Sequence, residues 1–165
     1  MLSKLLLVSA FSFLPIFAFA ETVELPSEEP LITVDIPKSW KPTEIETGIS
    51  CESPDQVATI FFEITDEKGL KELIDANVEW LTEQDVKIDP ATEKSVDFKI
   101  GEQEWNRISW DGASKDWGPS LIGFMFTHAG EGKLLTVTYW VTKKDKEKQT
   151  ANLEKILTSI KPVSE

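Results

Sequence analysis

Few side chains in this chain are suited to nucleophilic or metal chemistry: it has one histidine, His128, and one cysteine, Cys51. A Ser-His-Asp hydrolase would need His128 as its sole general base. That residue closes the strand-like run Phe124-Met125-Phe126 beside a glycine turn, where a histidine satisfied at a strand end is the simpler reading. Gly118-Pro119-Ser120-Leu121-Ile122-Gly123 misses the nucleophile-elbow spacing by one residue, and no strand pattern feeds it. Cys51 has no basic neighbour in sequence to stabilise a thiolate and reads as a small buried hydrophobe. Zinc and other transition metals need several His or Cys ligands, which the chain lacks. Asp111, Ser114 and Asp116 gather three oxygen side chains in one segment, but without the closing glutamate and spacing of an EF-hand calcium loop. No phosphate-binding glycine motif is present, so the expectation is no catalytic residue, no metal ligand and no cofactor. A carboxylate-dependent hydrolase stays open as an alternative, because 29 Asp and Glu are available and their pairing is a property of the fold.

Binding is the better-supported chemistry. Six tryptophans are many for one small domain, and tryptophan serves both cores and interaction hot spots. Trp80 and Trp140 fall on periodic apolar segments, whereas Trp110 and Trp117 bracket the polar, glycine-bearing stretch 111–116. Read as a loop displayed on a rigid sheet, this stretch would use Gly112 and Gly118 to bend. The candidate binding residues are then Trp110, Asp111, Lys115, Asp116 and Trp117, with Trp117 as aromatic anchor. The net charge of −12 repels phosphate backbones, and no basic stripe reverses it locally. The expected partner is another protein or a cell-envelope component, with a small apolar ligand as a further alternative and nucleic acid excluded.

The N-terminus carries Lys4, an apolar run over residues 5–17 and the small-residue pattern Ala18-Phe19-Ala20, the layout of a secretory leader cleaved before Glu21. Pro15 interrupts a run too short to span a bilayer, and Glu21 stands where lipid attachment would require a cysteine. Export to the periplasm or the outside follows, with no membrane span after leader removal. Residues 21–30 are acidic and proline-bearing and read as a solvated tether, leaving a single domain over 31–162. A lone cysteine cannot form an intramolecular disulfide, so the domain must be held by packing, and a monomer is expected.

The elements that would position these residues follow from periodicity. Residues 31–36, 44–51 and 56–64 alternate or are rich in β-branched and aromatic side chains. Leu70, Leu73, Ile74, Asn77, Val78 and Leu81 recur at helical spacing. Residues 95–100 and 104–110 form a hairpin pattern around Gly101, and 121–128 and 133–142 a second around Gly130 and Gly132. Leu153, Ile156, Leu157 and Ile160 stripe a closing helix. Strands apolar on both faces, joined by short links and bracketed by two helices, predict an α+β fold with a mainly antiparallel sheet covered on both sides.

Three segments carry a resemblance: Leu-Ile-Thr-Val-Asp-Ile-Pro-Lys-Ser-Trp at 31–40, Phe-Lys-Ile-Gly-x-x-x-Trp-x-Arg at 98–107, and Ile-Leu-Thr-Ser-Ile-Lys-Pro at 156–162. Together they resemble the PsbP-like superfamily of α/β/α sandwich domains, with exported DcrB-like envelope proteins as the nearest analogy. The resemblance implies a central antiparallel sheet flanked by helices and a role in binding. It implies no catalytic residue, and the functions of the group are diverse.

Overall fold

The computed structural model describes residues 20–163. Five strands precede the first helix: β1 (Ala20–Leu25), β2 (Ile32–Pro37), β3 (Thr43–Ile45), β4 (Gly48–Glu52) and β5 (Ala58–Asp66). After α1 (Leu70–Glu83) come four long strands, β6 (Val86–Ile100), β7 (Gln103–Ser114), β8 (Gly118–Gly130) and β9 (Lys133–Thr142), then α2 (Lys146–Thr158) and the short β10 (Lys161–Pro162). The pairings are antiparallel and build a seven-stranded sheet, β3-β4-β5-β9-β8-β7-β6, and a small sheet, β1-β2-β10. This is the α+β architecture that the periodicity predicts.

Period-two alternation divides the large sheet into two faces. One face carries Ile60, Phe62, Met125, Val137, Tyr139 and Val141 and packs against Leu153 and Ile156 of α2 and against β2 of the small sheet. The other carries Ile122 and Trp140 and packs against Leu81 of α1, with Trp80 set edge-on to Phe61 at 4.8 Å. Burying each such aliphatic or aromatic side chain contributes about 1.5–3 kcal/mol. Under α1 lies a polar network: Asn77 donates to Glu63 Oε2 at 2.8 Å and to Thr138 Oγ1 at 3.0 Å, and Thr47 donates to Glu63 Oε1 at 2.6 Å. Asp66 starts α1 by accepting the amides of Gly69 and Lys68, which hold its carboxyl below its ordinary value.

Three segments differ from the expectation. Glu21 to Leu25 are not a solvated tether; they form β1, paired residue for residue with β2, and Leu25 is buried. The extended stretch 44–51 is a tight hairpin, β3 and β4, turning at Glu46 and Thr47. The stretch 111–114 is not a loop, since it continues β7 with ladder partners on both sides, in β6 and β8. The expected leader, Ala20 apart, lies outside the described residues. Among the described residues no helix is long and apolar enough to cross a membrane.

Candidate functional site

Helix α2 lies over β9 and β2 and leaves the neighbouring part of the same sheet face uncovered. Between it and β6–β8 opens a cleft of about 740 Å³. Its helical wall is the stripe Thr150, Leu153, Leu157 with Glu154 and Thr158 beside it. Its floor comes from alternate residues of three strands: Arg107, Ser109 and Asp111 of β7, Leu121 and Met125 of β8, and Tyr139 and Val141 of β9. The register sets Tyr139 beside Gly123, which in turn faces Ser109, and Arg107 beside Met125.

Gly123 shapes the floor by having no side chain. A Cβ there would stand 2.0 Å from Tyr139 Cζ and 2.3 Å from its hydroxyl, so the tyrosine ring lies across β8 where a larger residue would block it. Its hydroxyl thereby comes near the Arg107 guanidinium on β7. Burial pushes the phenol above its ordinary value, against the pull of the Arg107 charge. A guanidinium only donates, so toward Arg107 the tyrosine oxygen can only accept, and its own proton is left to offer elsewhere. Arg107 also sits over the Phe98 ring, 5.6 Å from the centroid.

Arg107 is the sole arginine of a chain with 29 acidic residues, yet among the described residues no carboxylate pairs with it. Its buried Nε has no hydrogen-bond partner there. Two lysines complete the positive lining: Lys143, bonded to Asp111 at 2.8 Å, and Lys94 at the rim. Edge strand β6 bulges here. Its register jumps from Asp89 opposite Asp111 to Lys94 opposite Ser109, and the extra residues carry Thr92, which accepts the Asp111 amide at 2.8 Å. Bulges concentrate beside functional sites because they re-aim side chains and end regular pairing.

The five residues singled out in the sequence do not form one surface. Trp110 and Asp111 belong to β7 and both line the cleft; Trp110 also packs against the cluster of Leu81, Val86, Ile122 and Trp140 and donates to Glu93 at 3.1 Å. Lys115 is exposed in the β7–β8 turn. Asp116 and Trp117 line a separate groove of about 490 Å³ that also includes Trp80 and Trp140. Trp117 is 43% exposed and meets Trp140 edge-on at 6.4 Å. Asp111 and Asp116 are therefore on different surfaces, and no group of His, Cys, Asp or Glu among the described residues could hold a metal ion.

Cys51 is buried, and burial pushes its thiol up to about 12, the opposite of what a nucleophile requires. His128 is exposed near the end of β8, paired in the ladder with Leu134. Arg107, Ser109 and Tyr139 were not singled out for binding from the sequence. The available signal was the chain's one arginine, alternating with Ser109 and Asp111 along a strand.

No protein-family model matches the sequence, and no curated protein does. Solved structures do share the fold. The cyanobacterial PsbP, CyanoP, of Synechocystis sp. PCC 6803 superposes with a TM-score of 0.59 at 9% identity, covering 88% of this chain and 94% of its own. LpqN, described as involved in cell envelope biogenesis of Mycobacterium tuberculosis, superposes with a TM-score of 0.54 at 10% identity, covering 88% and 91%. The chain thus has the PsbP-like α/β sandwich fold that its three sequence segments resemble.

Proposed function

We propose that this chain is an exported, non-catalytic binding protein of the cell envelope, and that the cleft beneath α2 holds its ligand, a small envelope component. The cleft carries the reading: its roughly 740 Å³ falls within the ~300–1,000 Å³ usual for small-molecule sites, with apolar walls and a few convergent polar groups on a rigid sheet. The leader-like N-terminus supports export. The fold shared with LpqN, itself described as involved in envelope biogenesis, supports the compartment. Carboxylate hydrolysis fits less well, because Asp111 is bound by Lys143 and Glu154 stands on an exposed part of α2, so neither is a shielded acid.

The test is titration of the secreted protein with the uncharged fluorophore N-phenylnaphthylamine. Saturable one-site emission is expected, lost in Thr150→Trp, whose indole fills the cleft from the helical wall, and retained in Thr150→Ala. No saturable binding, or equal binding by Thr150→Trp, would refute the reading. A second reading, contact with a protein through the β7–β8 turn, is favoured by one observation, the half-exposed Trp117.

A further inference from the structure

We infer that the ligand of the cleft beneath α2 is an anionic amphiphile with a single acyl or alkyl chain, its carboxylate or phosphate head held by Arg107 and Tyr139. This rests on the binding function proposed above and adds the ligand's chemical class. The apolar chain runs along Leu121, Met125, Leu153 and Leu157, aliphatic side chains of the cleft's floor and helical wall.

The head-group assignment comes from unmet electrostatics. Arginine is almost never fully buried without a counter-charge, because losing water costs the cation its solvation, and Arg107 is half-buried. Here the sole guanidinium has an aromatic face, a phenol oxygen and a buried Nε without a partner, and no carboxylate among the described residues balances it. A planar fork of donors matches the two oxygens of a carboxylate or phosphate. The free phenol proton of Tyr139 and the Ser109 hydroxyl offer two further donors on the same floor.

The charge balance of the lining points the same way. Lys94, Arg107 and Lys143 face Asp111 and Glu154, and the Lys143–Asp111 pair is self-neutralising. In a chain with 17 cations against 29 anions this lining has three cations against two anions, and the same cleft has an apolar wall. A cationic or strongly hydrated ligand would leave both features unused.

The test compares head groups on one chain length by calorimetry below the micellar concentration: laurate, dodecyl phosphate, 1-dodecanol and inorganic phosphate. Wild type is expected to bind laurate or dodecyl phosphate at least 10-fold more tightly than dodecanol, and inorganic phosphate more weakly than dodecyl phosphate by a similar factor. That comparison needs no variant. Arg107→Gln should remove most of the anion preference while changing dodecanol affinity less than about 3-fold, and Arg107→Lys should restore part of it. Equal binding of laurate and dodecanol, or a preference that survives Arg107→Gln, overturns the head-group assignment and leaves the cleft reading intact. Inorganic phosphate binding as tightly as dodecyl phosphate overturns the amphiphile. If no dodecyl compound binds, the cleft reading itself fails and this inference with it.

Discussion

Replacing Gly123 with alanine tests whether the floor of the cleft is built as described. Its backbone lies outside the left-handed region, so the substitution adds no conformational strain and the effect is steric. The new methyl would sit 2.0 Å from Cζ, 2.3 Å from Cε1 and 2.3 Å from the hydroxyl of Tyr139, a buried ring on the central strand β9. Moving such a ring costs about 1–3 kcal/mol. Stiffening the unfolded chain returns about 0.4–1 kcal/mol. A net loss of about 1–2 kcal/mol follows, read by urea unfolding with tryptophan fluorescence. The decisive measurement is the same substitution in a Tyr139→Val background, which removes all three clashing atoms and keeps a β-branched residue in the strand. There Gly123→Ala should be neutral or stabilising, a coupling of about 1–3 kcal/mol between the two sites. An equal loss in both backgrounds would show that the tyrosine does not occupy the space over β8, and with it would go the route by which its hydroxyl reaches Arg107.

Cys51 predicts an alkaline weakness: below 9.0 both states hold its proton, and from there to about 12 only the unfolded chain releases it, so stability falls as pH rises through that window. Between pH 8 and pH 10 wild type should lose about 1.4 kcal/mol more than Cys51→Ala in urea titrations, and parallel pH profiles would show that the thiol is not buried. Trp117→Ala should cost only about 0.5–1.5 kcal/mol of folding stability, the worth of its edge-on contact with Trp140, rather than the ~3–5 kcal/mol of a core aromatic. It should leave amphiphile affinity unchanged, since its groove is separate from the cleft, and a protein partner that binds the variant normally would exclude the turn as a contact surface.

The elements whose burial is decided locally were legible. The hairpin β8–β9 shows apolar residues on both faces of its two strands, and α1 shows its stripe, because each buries its apolar residues against neighbours that the pattern itself specifies. The failures share a different cause. Strand β1 is acidic and buries only Leu25 fully; it is ordered by ladder hydrogen bonds to β2, which leave no mark on composition. Gly112 reads as a turn residue, yet a Cβ there would stand 2.4 Å from Ile122 Cδ1 and 2.8 Å from the Lys87 carbonyl oxygen, so the glycine answers a packing demand inside a three-strand ladder. Gly118 does supply a turn, at φ +70°. The same residue type six positions apart thus has two causes, and only the register distinguishes them.

The site was hidden for a related reason. Polar residues cluster along the chain at 111–116, a stretch that the fold divides between the cleft and a separate groove. The cleft instead draws Arg107, Met125, Tyr139 and Leu153 from three strands and a helix, spread over residues that are neighbours only through the β9-β8-β7 order. What the chain does show is an exception: one arginine, on a strand face whose other large members are buried Trp105 and the cleft floor. For stability alone a buried donor without a partner costs about 1–3 kcal/mol, more when charged, and an aliphatic residue of similar length would avoid it. Trp105 and Trp140 also bury an unpartnered Nε1, but their indoles contribute large apolar areas that outweigh one weak neutral donor. The Arg107 guanidinium has the Phe98 ring and the Tyr139 oxygen but no counter-charge among the described residues. An anionic ligand would supply one, and for that reason Arg107 marks the candidate site more clearly than the tryptophans do.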